Sequence, residues 1–493
     1  MKHVLAIDEG TTGVTCLVVA ADGRIAGRGY REITQHFPKP GWVEHDPKEL
    51  LDRTTEAGRE AIRAAGVRPD AIGITNQRET VVVWERATGQ PVHRAIVWQD
   101  RRTASRCAEL APRADWIRER TGLVVDPYFS GSKLEWLFRE LRLGERYAPG
   151  ALAAGTVDSW LVWALTGGAV HATDHTNASR TMLYDIDARA WSGELCALFG
   201  VPRDVLPEVR PSSGSFGTAG AGFFGAEIPI LGVAGDQQAA LFGQGCWTRG
   251  LGKNTYGTGA FLLMHAGAVR PAAPPGILTT VACDATGAPA YALEAAIFIA
   301  GAAVQWLRDG LGIVAQAAET EGLAASLPSN EGVYFVPALV GLGAPVWEPH
   351  ARGTIVGLTR GSGRAHLARA ALEAMAYGTA DVVDSMVGVS GAAFARLRVD
   401  GGATQNDWLM QFQADVLGVD VERPRHVETT ALGAAGLAGI AAGVWPDAAA
   451  FAASQEVIVF HPVRPRRDVA EWRSGWTRAM RAAVSWARDA GEG

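Results

Sequence analysis

Apolar residues near the start of the chain fall into two runs that predict a pair of β-strands. Residues 4–7 are apolar and end at Asp8, a turn of two glycines and two threonines occupies residues 10–13, and a second, mostly apolar run covers residues 14–21. An Asp-Gly dipeptide, typical of a tight hairpin turn, closes the second run. The pattern predicts the antiparallel start of a sheet, with an acidic side chain beside a Gly/Thr turn.

The following segment alternates helix-like and strand-like patterns. A helical pattern covers residues 47–65, and short apolar runs that end in polar residues follow at 71–74, 81–84 and 95–98. Strands that alternate with helices of this length favour βαβ units. We therefore expect an α/β fold with a largely parallel or mixed sheet.

The middle of the chain repeats parts of the opening pattern. An apolar run at residues 228–235 again ends in an aspartate, Asp236, and a Gly/Thr turn at 257–259 leads into another apolar run. Such internal similarity indicates two similarly built domains. We place them at residues 1–244 and 245–493.

Hydrophobic periodicity in the second half of the chain predicts further helices and strands. Helical patterns cover residues 295–308, 366–386 and 469–484, and strand-like runs cover 332–338 and 397–400. The last helical pattern is amphipathic, with Trp and Val at helical spacing, which is typical of a packing face.

The amino-acid composition of the chain argues against several classes of protein function. The chain is 48% hydrophobic and 20% charged, as soluble globular proteins are. Lys and Arg number 46 against 52 Asp and Glu, so a nucleic-acid partner is not expected. Five cysteines without ligand spacing argue against zinc or a disulfide framework. No apolar run reaches the ~20 residues of a membrane span, so we expect no membrane insertion and a cytoplasmic location.

Glycine-rich turns supply the first candidate chemistry. They lie at residues 10–13, 257–259 and 401–403, each beside a predicted strand. Glycine lets backbone N–H groups turn toward an anion, threonine adds hydroxyl donors, and a carboxylate such as Asp8 suits a hydrated Mg²⁺ ion. Ordinary hairpin turns with polar residues explain the same pattern, and both interpretations stay open.

Two further candidates carry charge. Asp236 suits a general base for phosphoryl transfer, or equally a cap for the helix that follows it. Arg78 and Glu79 follow a buried strand and suit a polyol, because the guanidinium donates to hydroxyl oxygens and the carboxylate accepts from them. A surface ion pair of little consequence is the alternative.

Longer strings surround these candidates. In chain order they are KPGWVEHDP at 39–47, GITNQRET at 73–80, DPYFSG at 126–131, TDHTNASRTM at 173–182, AGDQQAA at 234–240, KNTYGTG at 253–259 and DGGA at 400–403. Over nearly the full length, the chain resembles the FGGY carbohydrate kinases, and most closely the glycerol kinases of that family.

The resemblance implies two ribonuclease-H-like (actin-like ATPase) domains, with mixed β-sheets flanked by helices, that close over a cleft. It also implies ATP-dependent phosphorylation of glycerol to sn-glycerol 3-phosphate with Mg²⁺, and a homodimer or homotetramer. Two alternatives remain: an FGGY kinase for another polyol or ketose, and a catalytically weak actin-like ATPase paralogue.

The same resemblance assigns site residues. Asp236 would be the catalytic base, and Asp8 would hold the metal through water. The polyol-binding set would be Arg78, Glu79, Trp98, Tyr128, Asp236, Gln237 and Phe261. The nucleotide-binding set would be Thr11, Thr12, Gly13, Thr258, Gly301, Gln305, Gly402 and Asn406.

Four positions depart from the family pattern. Glu9 replaces a Gln and Thr15 replaces an Arg that helps bind nucleotide phosphate, so we expect weaker ATP binding unless another basic group compensates. Glu227 stands where some members have an Arg that binds fructose 1,6-bisphosphate, and Gly222 where others have a phosphorylatable His. We therefore expect neither form of regulation here.

Overall fold

Two large mixed β-sheets, one in each half of the chain, organise the fold. The computed structural model describes residues 1–274 and 276–489. The strands of the first half are β1 (His3–Glu9), β2 (Gly13–Ala20), β3 (Ile25–Glu32), β4 (Glu44–His45), β5 (Ala71–Asn76), β6 (Val81–Glu85), β7 (Ala95–Ile96), β8 (Leu152–Thr156), β9 (Ala172–Asp174), β10 (Tyr184–Asp185), β11 (Ala190–Trp191), β12 (Glu208–Arg210), β13 (Thr218–Ala219) and β14 (Ile228–Gly235).

Ten α-helices connect and cover the strands of this half. They are α1 (Pro47–Ala65), α2 (Ala104–Glu109), α3 (Ala114–Thr121), α4 (Ser130–Glu140), α5 (Leu143–Arg146), α6 (Val157–Leu165), α7 (His175–Ala178), α8 (Gly193–Leu198), α9 (Ala221–Phe224) and α10 (Asp236–Gly243), with 3₁₀ turns at Ala111–Arg113 and Arg203–Val205.

The second half has fewer and longer elements. Its strands are β15 (Leu251–Tyr256), β16 (Ala260–Gly267), β17 (Ile277–Cys283), β18 (Pro289–Ile297), β19 (Tyr334–Val336), β20 (Thr354–Val356), β21 (Arg396–Asp400), β22 (Asp420–Pro424) and β23 (Val457–Phe460). Its helices are α11 (Gly301–Asp309), α12 (Glu319–Ala325), α13 (Arg364–Ser390), α14 (Asp407–Leu417), α15 (Thr429–Ala441), α16 (Ala448–Ala453) and α17 (Arg466–Asp489), with a 3₁₀ turn at Gly402–Gln405.

The two sheets share a five-strand topology. The first contains the order β3-β2-β1-β5-β14, and the second contains β18-β16-β15-β21-β22. In each, three antiparallel strands are followed by two strands parallel to the first of them. This repeated arrangement confirms the predicted α/β fold with two ribonuclease-H-like cores.

One sequence-based expectation about the second core, the start of a helix, was wrong. The apolar run at residues 228–235, which repeats the opening pattern, is the fifth strand of the first core, and the second core begins at β15, just after the predicted restart near residue 245. The predicted helix at residues 295–308 begins only at Gly301, because the chain up to Ile297 is strand β18. Alanine-rich β18 is buried between β16 and β17, and such a run lacks the alternation that marks a half-exposed strand.

Helix α1 covers one face of the first sheet, and its ends follow ordinary capping rules. Asp46 caps its N-terminus by accepting from the Lys48 N–H, Pro47 is its first residue, and Gly66 ends it in the left-handed conformation at φ 65°.

Helix α15, from the second half of the chain, covers the opposite face. A single buried cluster joins Val4, Leu17 and Val19 of the first sheet to Leu432 and Ala435 of this helix. The proposed division at 244/245 therefore leaves this part of the first core covered by the other half. Residues 275 and 490–493 of the second predicted domain lie outside the described residues.

The C-terminal helix α17 is amphipathic, as the sequence predicts. Its Trp476 is buried and donates from Nε1 to Asp381 Oδ2 at 2.7 Å. In the described part of the chain, no helix combines the length and apolar character needed to cross a bilayer.

Candidate active site

Arg78 and Glu79 lie in a buried turn directly after β5, not on the surface. Their relative exposures are 3% and 1%. Glu79 adopts a φ of 64°, a left-handed conformation that is rare for a residue with a side chain. The strained backbone turns both charged groups toward the interior, which excludes the interpretation as a surface ion pair.

Two residues that the sequence analysis did not assign complete a buried charge cluster. Arg78 Nη1 lies 2.7 Å from Glu294 Oε2, and Arg180 Nη2 lies 2.9 Å from Glu294 Oε1. Arg180 Nε also lies 2.6 Å from Glu79 Oε1. The cluster thus balances two guanidinium groups with two carboxylates, and Glu294 of β18 joins it to the second half of the chain.

The carboxylates respond differently to this environment. Burial alone would raise the pKa of Glu294, but Arg180 and Arg78 outweigh it and lower the pKa to about 2. Burial raises the pKa of Glu79 above its ordinary value, and Arg78 and Arg180 offset only part of that effect. Glu294 is therefore the firmly ionised partner of both arginines.

Asp236 lies at the open edge of this cluster. It is the first residue of α10, whose N-cap is Gly235, so Asp236 is not the capping residue that one interpretation expected. Its side chain is 34% exposed, and its Oδ1 lies 3.0 Å from Arg78 Nε. The Nε–H is not aligned with that oxygen and, among the described residues, has no hydrogen-bond partner. An accessible carboxylate thus borders a buried, unsatisfied donor.

Gln237 and Lys253 connect this edge to the second sheet. Lys253, on β15, donates from Nζ to Gln237 Oε1 and to Thr255 Oγ1, the latter at 2.8 Å. Burial lowers the pKa of Lys253 below its ordinary value, and the carboxylate of Asp400 opposes that shift. Lys253 places a cationic group between the halves without reaching the surface.

Aromatic residues line the neighbouring surface. The rings of Trp98 and Tyr128 meet edge to face at 5.5 Å, and Trp98 Nε1 donates to Thr11 Oγ1 at 2.8 Å. Phe261, on β16, is 39% exposed and shares a sheet face with Glu294 on β18. The structure therefore gathers the predicted polyol residues of the first half, and it places Phe261 on the face of the second sheet that carries Glu294.

Five of the predicted nucleotide residues line one cavity in the second half. Its volume is about 560 Å³, and the five are Thr258, Gly301, Gln305, Gly402 and Asn406. Gly301 begins α11, and a Cβ there would lie 2.6 Å from the Gly257 carbonyl oxygen. The glycine therefore permits close packing of the helix start against the Gly/Thr turn.

The other three predicted nucleotide residues, Thr11, Thr12 and Gly13, lie in the turn between β1 and β2. The Gly10 N–H donates to the Gly13 carbonyl at 3.1 Å, which closes the turn. These residues belong to the first sheet and do not line the described cavity. The predicted nucleotide set is thus divided between the two halves.

Asp8, at the end of β1, faces other carboxylates. Burial, followed by the charges of Asp236 and Glu428, raises the pKa of Asp8 to about 7. Oxygen ligands that repel one another suit a hydrated divalent cation, which would relieve the repulsion. Among the described residues, no three metal-ligating side chains form a site by themselves. Asp8 would therefore suit a hydrated Mg²⁺ ion, whose charge would offset that of the neighbouring carboxylates.

Comparison with known proteins identifies the family. The model of the FGGY family of carbohydrate kinases, N-terminal domain, matches residues 3–243, and that of the C-terminal domain matches residues 252–442. The chain belongs to the FGGY family of carbohydrate kinases.

Relatives within the FGGY family are similar over their whole length. The glycerol kinase of Halorhodospira halophila is 52% identical, with 100% of this chain and 98% of that protein covered. Glycerol kinase 2 of Thermotoga maritima is 51% identical, with 99% of both covered. The crystal structure of Plasmodium falciparum glycerol kinase with ADP is 34% identical, covers 98% of both chains and has a TM-score of 0.93.

Glu9 of this FGGY kinase does not share the face of the sheet that carries Asp8. Glu9 is fully buried, and alternation along β1 directs it to the face opposite Asp8. Burial raises the pKa of Glu9 to about 8, although a hydrogen bond from Gln77 lowers it in part. Burial thus favours the protonated form of Glu9, which carries no negative charge beside the turn of residues 10–13.

The other three departures from the family pattern lie at different places in the structure, at Thr15, Glu227 and Gly222. Thr15 pairs directly with Asp8 and so shares its face of the sheet. Glu227 is exposed just before β14, and Gly222 is exposed in α9. The position that lacks the family's basic residue, Thr15, is therefore on the same face of the sheet as Asp8, the candidate metal-binding residue.

Proposed function

We propose that this FGGY kinase transfers the terminal phosphoryl group of ATP to glycerol and produces sn-glycerol 3-phosphate with Mg²⁺. The observation that carries the proposal is the buried Arg78–Glu79–Arg180–Glu294 cluster that borders the accessible carboxylate of Asp236. Fixed donors and acceptors beside one accessible base suit a small polyol. The full-length similarity to glycerol kinases supports the same substrate.

In this proposal the side chains have separate roles. Arg78 donates to one glycerol hydroxyl and Glu79 accepts from another, while Asp236 accepts the proton of the attacking hydroxyl. Trp98, Tyr128 and Phe261 cover the carbon edge, and Gln237 completes the polyol set. A loose transition state requires little more than positioning and charge stabilisation, so one carboxylate suffices as the base.

The nucleotide spans both halves in the same proposal. The cavity that contains Thr258, Gly301, Gln305, Gly402 and Asn406 takes the adenosine end. Thr11, Thr12 and Gly13 donate to phosphate oxygens, and Asp8 holds the metal through water. A bound Mg²⁺ supplies charge neutralisation at the transferred phosphoryl group.

An FGGY kinase for another polyol or ketose is the second candidate. The structure of Lactobacillus acidophilus xylulose kinase has a TM-score of 0.88 but is only 20% identical, so it bears on the fold alone. A catalytically weak paralogue is the third candidate. The raised pKa of Glu9 argues against one of the two reasons for it, and the second reason, Thr15, remains.

The wider proposal includes domains at residues 1–244 and 245–493, a homodimer or homotetramer, and a cytoplasmic location. It also includes insensitivity to fructose 1,6-bisphosphate, because Glu227 would repel that anion. Light scattering of the purified protein tests the oligomeric state, and kinetic assays with the bisphosphate test the regulation.

A substrate panel tests the function. Glycerol, dihydroxyacetone, erythritol, xylulose and gluconate are each assayed with ATP and Mg²⁺, and a stereospecific glycerol-3-phosphate dehydrogenase reports the product. Glycerol is expected to give the highest kcat/KM, with the sn-3 product. A higher kcat/KM for xylulose or gluconate would favour the second candidate, and no turnover on any substrate would favour the third.

A further inference from the structure

The strands beside the first Gly/Thr turn carry a basic residue on the face that Asp8 occupies. Asp8 pairs with Thr15, Thr15 pairs with Tyr30, and one step along the sheet Leu17 pairs with Arg28. Directly paired residues share a face, and the side chains along a strand alternate between faces. Arg28 is the basic side chain that the described strands β1, β2 and β3 present on this face.

Tyr30 links Arg28 to the turn itself. The guanidinium carbon of Arg28 lies 5.8 Å from the centre of the Tyr30 ring. The same ring covers Gly13, since a Cβ at Gly13 would lie 2.5 Å from the Tyr30 hydroxyl oxygen. The guanidinium is therefore separated from the turn by one aromatic ring.

Arg28 is free to change its partner. Its Nη2 lies 3.3 Å from Glu428 Oε1, and the Arg28 side chain is 54% exposed. Exposed ion pairs contribute little free energy, so a better anion can displace Glu428 without a large cost. A phosphate group is such an anion, because guanidinium binds it in a bidentate manner.

The charges around the turn require a cation. Asp236 and Glu428 lie close enough to Asp8 for their charges to act on it, and the paired position Thr15 is uncharged. A nucleotide phosphate chain adds several negative charges beside these carboxylates. Like charges at such distances repel strongly in a partly desolvated cleft.

We propose that Arg28 is a nucleotide-phosphate-binding residue of this kinase. When ATP binds, the guanidinium leaves Glu428 and donates to phosphate oxygens held at the turn of residues 10–13. It thereby supplies the positive charge that Thr15 lacks. The inference rests on the proposed function only in taking a nucleoside triphosphate as the phosphoryl donor.

Calorimetry with ADP and ATP, together with steady-state kinetics, tests the assignment. Arg28→Ala is expected to weaken ATP binding about 10- to 100-fold, because a charge-assisted hydrogen bond is lost. The KM for glycerol is expected to stay unchanged within about twofold. Arg28→Lys is expected to recover part of the loss. Thr15→Arg in the Arg28→Ala background is expected to restore most of it.

Arg139→Ala is the matched control, because Arg139 is an exposed arginine on α4 whose partner is the adjacent Glu140. It is expected to bind nucleotides as the unmodified protein does. Unchanged ATP affinity in a folded Arg28→Ala variant would overturn the proposal, as would an equal rise in both KM values. If the unmodified protein phosphorylates no polyol, the proposed function fails, while ADP titration still decides the role of Arg28.

Discussion

At the scale of single residues, the proposed site separates fixed, buried charges from one accessible carboxylate. Arg78, Arg180, Glu79 and Glu294 are buried and pair only among themselves and with near neighbours, so their positions are fixed. Burying charged groups costs free energy that burying hydrophobic side chains does not. Such a cost is typical of a site whose ligand needs preorganised hydrogen-bond donors. Asp236 stays partly exposed, as its proposed role as proton acceptor requires.

The base assignment gives the first prediction. Asp236→Asn removes the proton acceptor while keeping the size of the side chain, so kcat is expected to fall about 10²- to 10⁴-fold. Calorimetric affinities for glycerol and ADP are expected to change less than about threefold. Near-native turnover in this variant would remove the role of Asp236 as the base.

The buried cluster gives the second prediction. Arg78→Ala leaves Glu294 with one arginine instead of two, so we expect a loss of about 3–5 kcal/mol in the free energy of unfolding together with loss of glycerol binding. Denaturant unfolding and glycerol titration measure the two effects. Arg142→Ala, on the exposed α5 region, serves as the control and is expected to change neither. A stable Arg78→Ala variant that binds glycerol normally would show that the cluster is dispensable.

Glu9 gives a pH-dependent prediction. Its pKa is raised to about 8 in the folded protein, above the ordinary 4.5, so folding favours the protonated form. The folded state then binds more protons than the unfolded state between these pKa values, and stability falls as pH rises through this window, by up to about 1.4 kcal/mol per pH unit.

Glu9→Gln removes the titrating group. The variant is expected to melt at the same temperature as the unmodified protein near pH 5 and a few degrees higher near pH 8.5, as followed by differential scanning calorimetry. ATP affinity at pH 7 is expected to stay unchanged, because the carboxyl is already neutral there. A lower melting temperature for the variant at pH 8.5 would contradict the inferred protonation state.

At the scale of elements, two helices cross where the halves of the chain meet. Helices α10 and α15 touch backbone to backbone, since a Cβ on Gly433 would lie 1.8 Å from the Ala239 carbonyl oxygen. Asp236 is the first residue of α10, and Glu428 directly precedes α15. The crossing therefore sets the relative positions of groups on both sides of the cleft.

Gly433→Ala tests this crossing. The added methyl group cannot be accommodated against a backbone carbonyl, so we expect a loss of at least about 1–3 kcal/mol in stability and a lower kcat from the displaced Asp236. Gly388→Ala on α13 is the matched control: a Cβ at Gly388 would have no atom of the described residues within 4 Å outside its own helix backbone. It is expected to be neutral or slightly stabilising, within about 1 kcal/mol. Equal stabilities of the two variants would mean that the helices can move apart.

The sequence predicted some elements well and others poorly, for identifiable reasons. Helix α1 carries its cap, its proline and its terminal glycine, so the sequence predicted its start within residues 46–50 and its end at Ala65. Strand β18 lacks such local signals, and Glu294 within it was missed because one acid in an apolar run has no motif. Its role depends on Arg78 and Arg180, which lie more than a hundred positions away along the chain.

At the scale of the whole molecule, the two ribonuclease-H-like cores are not independent. The face of the first sheet that holds Val4, Leu17 and Val19 is covered by α15 and α16 of the second half. Trp445, between these helices, donates from Nε1 to the Ala21 carbonyl at 2.9 Å. Contacts of this kind join positions hundreds of residues apart. Local periodicity and turn signals therefore predicted two cores, but they did not predict that helices of the second half would cover the first sheet.

The shared packing gives the last prediction. A fragment of residues 1–244 exposes the apolar face that α15 and α16 cover, so it is expected to aggregate, bind a hydrophobic dye and lack a cooperative melt. When the same fragment is joined by a flexible linker to residues 429–454, α15 and α16 again cover this face. Co-expression of residues 1–244 with residues 245–493 restores the complete interface. Both are expected to be soluble and to melt cooperatively in scanning calorimetry. If the bare fragment is monomeric and as stable as the linked one, residues 1–244 form a self-sufficient domain and α15 contributes only to joining the halves.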